Sequence, residues 1–265
     1  MHTDSMLGPV ALEHGWVPTP RYLMRRARIL ELARELAPGD LLEIGCGAGM
    51  LLHEFAARGF RCTAVEPSPG ALATARSLAL SARAQVDFRD APSPYWRESF
   101  DLLCAFEVLE HIEDDHAALR SWAQCLRPGG HLLLSVPAHE RRWTAGDQWA
   151  GHFRRYERAP LVQLLQGEGF EVERLECYGY PLANLSETLG SRTYRKHIVA
   201  GTGDQAGDRR ANNERSGVDR SGSVRLYPLL SSLPGRALLS LCLWAQKLFL
   251  STDLGCGYVL RARRR

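Results

Sequence analysis

The residues with most chemical potential in this 265-residue sequence are a few acids and histidines near glycine-rich or apolar runs. Glu66 stands 21 positions after Gly45, the first of three alternating glycines at 45, 47 and 49. A carboxylate about 20 residues beyond such a turn is placed to accept hydrogen bonds from ribose hydroxyls, so the expected ligand carries a ribose. Glu107, Glu110 and His111 have i, i+3, i+4 spacing, which puts three side chains on one face if the segment is helical. Carboxylates with one imidazole suit magnesium or manganese, and such an ion would lower the pKa of an acceptor hydroxyl. Without a metal, His111 is a candidate general base. A third reading leaves Glu110 as a helix cap or salt bridge and packs His111 beneath the ligand.

These groups need elements to hold them. Leu41 to Leu52 reads as an apolar strand ending at Gly45, a glycine turn, and a helix with Leu51, Leu52, Phe55 and Ala56 on one side. Met50 stands where a dinucleotide fingerprint needs a third small residue, which disfavours a pyrophosphate ligand. Arg61–Glu66, Gln85–Asp90 and Phe100–Phe106 are further short strands, each with an acid at or just past its carboxyl end. Open α/β sheets bind ligands outside those ends, so Glu43–Gly49, Glu66, Asp90 and Glu107 are expected to converge on one crevice.

The segment Glu43-Ile44-Gly45-Cys46-Gly47-Ala48-Gly49 resembles the first motif of the class I S-adenosylmethionine-dependent methyltransferases, and the resemblance covers roughly residues 38 to 178. It implies a doubly wound, Rossmann-like α/β fold with a mostly parallel seven-stranded sheet. It also implies adenosylmethionine as cofactor, bound by Glu43, Gly45, Cys46, Gly47, Gly49, Glu66, Pro67, Ala91, Phe106 and Glu107, with Asp90 near the adenine. Glu107-Val108-Leu109-Glu110-His111 resembles a segment of ubiquinone-pathway O-methyltransferases and of small-RNA 2′-O-methyltransferases. That likeness implies methyl transfer to a small-molecule hydroxyl, with nitrogen or carbon acceptors, or a non-catalytic adenosylmethionine- or nucleotide-binding protein, as alternatives. The small-RNA enzymes complete a metal site with a later histidine, for which His152 is the counterpart here. The expected catalytic set is therefore His111, Glu107 and His152, and the expected magnesium or manganese ligands are Glu107, Glu110, His111 and His152.

Taken in order, residues 1–37 form an N-terminal arm and helix. Residues 1–20 lie over the site or are disordered, and a helix over Arg21–Ala37 packs beside the first strand. Residues 38–178 are the cofactor-binding core, with further strands at His131–Val136 and Phe170–Cys177. The polar stretch 138–158, with Trp143, Trp149, His152, Arg154 and Arg155, is long enough to serve an acceptor pocket, and the two arginines either attract an acidic substrate or form a solvated turn. Residues 179–255 form a helical substrate cap inserted before the last strand, with a mobile loop over about 201–223. Residues 256–262 supply that strand, antiparallel over Gly257–Ala262, and Arg261–Arg265 is read as a solvated tail.

A net charge of +3 shows no basic excess that calls for nucleic acid, and the resemblance implies a small-molecule partner. Seven cysteines without a C-x-x-C pair read as buried free thiols, and no signal peptide is evident, which together suggest a cytoplasmic setting. The apolar helix over 234–250 is too short to span a bilayer. It packs on its own domain, pairs in a homodimer, or touches a membrane surface or a lipidic substrate.

Overall fold

The apolar runs pair into one seven-stranded sheet in a computed structural model of the chain, which describes residues 2–82, 84–188 and 220–265. Its strands are β3 (Asp40–Ile44), β4 (Arg61–Val65), β5 (Val86–Arg89), β6 (Phe100–Phe106), β7 (Leu126–Pro137), β8 (Phe170–Tyr178) and β9 (Gly257–Arg264). They lie in the order β5-β4-β3-β6-β7-β9-β8. The first five are parallel, and β9 runs antiparallel between β7 and β8. The chain winds outward from β3 through β4 to β5, then returns to β6 on the other side of β3. That reversal opens a crevice at the carboxyl ends of β3 and β6, where ligands bind in open α/β sheets.

Alternation along the strands builds two core layers. Leu41, Leu102, Cys104, Leu133 and Val259 face one layer, and Leu42, Leu103, Ala105, Leu132 and Leu134 the other. Leu102, Leu103, Cys104 and Ala105 of β6 are at most 1% exposed, as a central strand covered on both faces requires. Each buried leucine contributes roughly 1.5–3 kcal/mol of transfer free energy, so this strand anchors the acids beyond its end.

Helices α1 (Pro20–Leu32), α2 (Met50–Ala57), α3 (Pro69–Ala82), α4 (Asp115–Cys125), α5 (Ala145–Ala150) and α6 (Arg158–Gly167) fill the connections. Thr19 caps α1 with Pro20 in its first turn, and Asp114 caps α4 by accepting from the Ala117 N–H at 2.8 Å. In the last connection lie α7 (Tyr227–Ser231) and α8 (Leu233–Gln246). The expected loop over 201–223 falls outside the described residues except for 220–223.

Several expectations are corrected. Of the two readings of residues 1–20, the disordered one is overturned: they hold a hairpin of β1 (His2–Asp4) and β2 (Gly8–Val10), turned by the Asp4 carboxylate accepting from the N–H groups of Met6 and Leu7. Leu7, Trp16 and Tyr22 share a third cluster with Leu239 of α8, which supplies the burial that the arm lacks alone. Helix α1 ends at Leu32 and packs mainly across β7, β8 and β9 rather than beside β3. Strand β7 starts at Leu126, before the glycines expected to precede it, because Leu126 pairs with Phe100 ahead of a register shift. Arg261–Arg264 is part of β9, where Arg261 pairs with Glu173 and Arg264 with Glu98. Among the described residues no helix is long and apolar enough to cross a membrane.

Candidate active site

A cavity of about 1460 Å³ opens at the carboxyl ends of β3, β4 and β6. Its floor is the turn after β3. Gly45 sits at φ 67°, and a Cβ there would come within 2.6 Å of the Val108 side chain, so both conformation and space demand glycine. The turn is tied to β4 by the Gly45 N–H donating to the Val65 carbonyl at 2.8 Å. Glu66 accepts from the Gly47 N–H at 2.8 Å and the Ser68 N–H at 3.0 Å, one bond to each oxygen. These bonds hold the carboxylate at the cavity wall.

Glu43, Gly45, Cys46, Gly47, Glu66, Pro67, Asp90, Ala91, Phe106 and Glu107 all line this one cavity. Gly49 does not. It caps α2 at φ 71° and packs near Leu52 and Ala75, so it shapes the turn from behind. Glu43 is 3% exposed with Oε2 lacking a hydrogen-bond partner. Burial pushes its carboxyl up to about 8; the Glu66 charge adds to this, and Arg25 opposes it.

At the end of β6 the chain breaks the expected helical face. Glu107 is at φ 59° in the left-handed region, and only Leu109–His111 forms a helical turn, of the 3-10 kind. The Glu107 carboxylate turns toward α1, accepting from Arg21 Nη2 at 2.6 Å, Ser135 Oγ at 3.1 Å and Tyr178 OH at 3.2 Å. Arg25 adds an ion pair at 3.3 Å. Burial alone would raise its pKa, but Arg21 and then Arg25 hold it down at about 2. Glu107 therefore parts from Glu110 and His111, because the left-handed residue rotates its side chain off their face.

Glu110 and His111 meet His152 instead. Their potential ligand atoms lie within 4.8 Å of one another, and the two imidazole rings stand edge to face with centroids 4.6 Å apart. Glu110 is fully buried with neither oxygen hydrogen-bonded, and His111 Nδ1 also lacks a partner. Burial, reinforced by the Glu107 charge, raises the Glu110 carboxyl well above its usual range. Burial and then the neighbouring His152 lower His111 to about 3, so its imidazole is neutral near pH 7.

Helix α5 brings His152 into place. Thr144 and Asp147 form a reciprocal cap, and the Asp147 carboxylate lies 2.9 Å from His152 Nδ1. The Phe153 N–H donates to the Glu110 carbonyl at 2.8 Å, stitching the segment to the 3-10 turn. Arg154 and Arg155 are not free to attract an acid. Arg154 pairs with Asp115 at 2.6 Å, and the buried Arg155 pairs with Asp147 at 2.7 Å and Glu187 at 2.8 Å.

Arg21, Arg25, Asp147, Tyr178 and Glu187 were not singled out by the sequence reading. The only advance signal was the arginine pair at 21 and 25, one helical turn apart in the first helix. Tyr178 and Glu187 reach the site through tertiary packing and leave no spacing signature.

The residues fit adenosylmethionine: a glycine turn admits close backbone approach, an anchored carboxylate lies at the cavity wall, and unpartnered Glu43 and Glu110 oxygens are left at a cavity suited to a cationic ligand. Comparison with known proteins agrees. Residues 19–175 match the family model described as a methyltransferase domain. The ubiquinone biosynthesis O-methyltransferase of Xanthomonas euvesicatoria pv. vesicatoria is 38% identical over 185 residues, covering 62% of this chain and 76% of that protein. Its namesake in Xanthomonas axonopodis pv. citri is 33% identical over 199 residues, covering 68% and 83%. In fold alone, the chain resembles the [4+2]-cyclase SpnF, with a TM-score of 0.60 at 20% identity over 97% of this chain and 88% of that one. It also resembles a putative methyltransferase from Bacillus halodurans, with a TM-score of 0.59 at 14% identity over 90% and 97%. The sheet order, the crevice at the reversal and the matched domain together place the chain in the class I S-adenosylmethionine-dependent methyltransferase family.

Proposed function

We propose that this methyltransferase acts on a hydroxyl oxygen of a small, largely apolar acceptor. The observation that carries the reading is the buried Glu110–His111–His152 cluster, which lies on the same cavity as the cofactor turn and has unpartnered donor atoms. The relatives' O-methyltransferase names support oxygen as the acceptor atom. Cofactor binding is assigned to Glu43, Gly45, Cys46, Gly47, Glu66, Pro67, Asp90, Ala91 and Phe106, with Gly49 shaping the turn. Glu66 accepts from the ribose, and Asp90 lies by the adenine. The acceptor side is assigned to the Trp143–Tyr156 segment and the 179–255 cap, since Trp149, Ser186, Glu187, Ser223 and Leu226 line the same cavity.

Adenosylmethionine supplies a methyl carbon already activated by its sulfonium. The protein's part is to hold the acceptor in line, exclude water and take the hydroxyl proton. His111 is assigned as that base, with His152 and Asp147 fixing its surroundings; burial keeps it neutral but also weakens it as a proton acceptor, which favours the cation reading that follows. Glu107 positions Arg21 and Arg25 across the cavity from α1. The same cluster is suited to a divalent cation, held by Glu110, His111 and His152, that would lower the acceptor's pKa. One carboxylate and two imidazoles favour manganese over magnesium, since Glu107, the second carboxylate of the expected set, turns toward α1 instead.

Product formation with a panel of phenols and catechols, with and without alkyl tails, tests the reading. Methylated oxygen in the product, identified by mass spectrometry and NMR, is expected, whereas methylation confined to nitrogen or carbon would overturn it. Turnover that falls with EDTA and returns better with manganese than magnesium supports the cation. Turnover indifferent to chelation leaves His111 as base, and His111→Ala should then reduce kcat by about 10²-fold or more.

A further inference from the structure

Helix α8 is apolar on two faces. Inward, Leu239 and Cys242 are buried, and Gln246 locks the helix to the domain by accepting from the Gly179 N–H and donating to the Met24 carbonyl, both at 3.3 Å. Outward, Leu238, Leu241, Trp244 and Leu248 recur at three- and four-residue spacing, and each is more than half exposed. Leu229 and Leu233 extend the stripe toward α7 at 68% and 85% exposure. A helix on a water-facing surface carries polar residues there, and a continuous leucine stripe with a tryptophan marks an interaction surface.

Charge identifies the partner. From residue 220 to 252 the chain carries Arg220, Arg225, Arg236 and Lys247 and not one Asp or Glu. Arg236 is spent on Asp4 at 2.7 Å and Arg220 donates to Thr19, whereas Arg225 and Lys247 are exposed beside the stripe. We propose that the outer face of α7 and α8 docks on the surface of an anionic lipid bilayer. Leucines and a tryptophan would enter the boundary between headgroups and acyl chains while the cations meet lipid phosphates. A second copy of this chain fits less well, because a two-fold contact sets these cations against themselves with no carboxylate in the stretch to answer them. Spanning is excluded by length, since the 14 residues of α8 reach about 21 Å against roughly 30 Å of hydrocarbon.

The docked orientation has a consequence for the active site. Leu226 is 63% exposed at the edge of this face and also lines the cavity, so the cavity rim meets the same surface. An apolar acceptor dissolved in the bilayer would then reach the site without crossing water. Docking itself does not depend on which atom is methylated.

Co-sedimentation of the full chain with vesicles tests it. Binding to phosphatidylcholine vesicles containing phosphatidylglycerol is expected to exceed binding to phosphatidylcholine alone and to fall with added salt. The double substitution Leu241→Ser with Trp244→Ser, and separately Arg225→Glu with Lys247→Glu, should each weaken that binding by at least about tenfold. Adenosylmethionine affinity by calorimetry should stay unchanged in both, which shows that they fold. The proposal is overturned if the parent chain binds neither vesicle, or binds without regard to lipid charge and to these substitutions. It is equally overturned if the parent is a dimer that Leu241→Ser with Trp244→Ser dissociates and that does not bind lipid.

Discussion

Glu43 and Glu66 are neighbouring acids at the same cavity with opposite environments. Each Glu66 oxygen already accepts a backbone N–H, which stabilises its charge, whereas Glu43 has an unpartnered, buried oxygen. Glu66→Ala removes a charge-assisted pair worth roughly 1.5–3 kcal/mol per bond, so adenosylmethionine should bind at least tenfold more weakly by calorimetry. Unchanged affinity would remove Glu66 from the cofactor site. Glu43 leads to a different expectation. Its carboxyl keeps a proton to about pH 8 in the fold but only to its ordinary 4.5 when unfolded. The stability this contributes is complete below 4.5 and is lost as the pH rises through 8. Glu43→Gln cannot titrate, so without cofactor its Tm relative to the parent should climb between pH 5 and 8. A flat difference would mean that Glu43 is not a raised, buried acid. The place of Glu66 at the cavity was legible from spacing alone, because the distance from glycine turn to next strand end is set by one βαβ unit. The partners of Glu107 were not, since Arg21 lies 86 positions away and is joined to it only by the packing of α1.

Among the elements, α5 has an influence beyond its six residues. Its capping box fixes Asp147, and Asp147 fixes both His152 and Arg155. Thr144→Ala should cost about 1 kcal/mol, seen as a lower Tm. Because His152 then loses its hold, kcat should fall while adenosylmethionine affinity stays the same. Loss of cofactor affinity instead would show that α5 supports the cofactor turn rather than the acceptor side. The polar stretch 138–158 was expected at the acceptor pocket from its length and aromatics, and Thr144, Trp149 and His152 line the cavity. That it contains a helix, and that its two arginines are internal ties, could not be read because their acidic partners lie at Asp115 and Glu187. The triad at 107, 110 and 111 was placed on a helix by its spacing, and a single left-handed residue undid that placement.

Across the molecule, β9 is the keystone of the antiparallel edge. It pairs on one side with β7 and on the other with β8, so among the described residues β8 pairs with the sheet only through it. Truncation after Tyr258 should abolish cooperative thermal unfolding by circular dichroism, whereas a truncated chain with a parental Tm would refute that dependence. The strands, their parallel winding and the crevice were all readable from the residues, because apolar runs, glycine turns and acids at strand ends are local patterns that any chain with this sequence presents in the same order. The N-terminal hairpin, the ion pairs of the last strand and the grouping of Glu110, His111 and His152 were settled by packing between distant segments. Such contacts depend on which surfaces meet once the sheet is closed. No spacing encodes them, so the glycine turn and the acids at the strand ends were visible in the sequence and the cluster opposite them emerged with the fold.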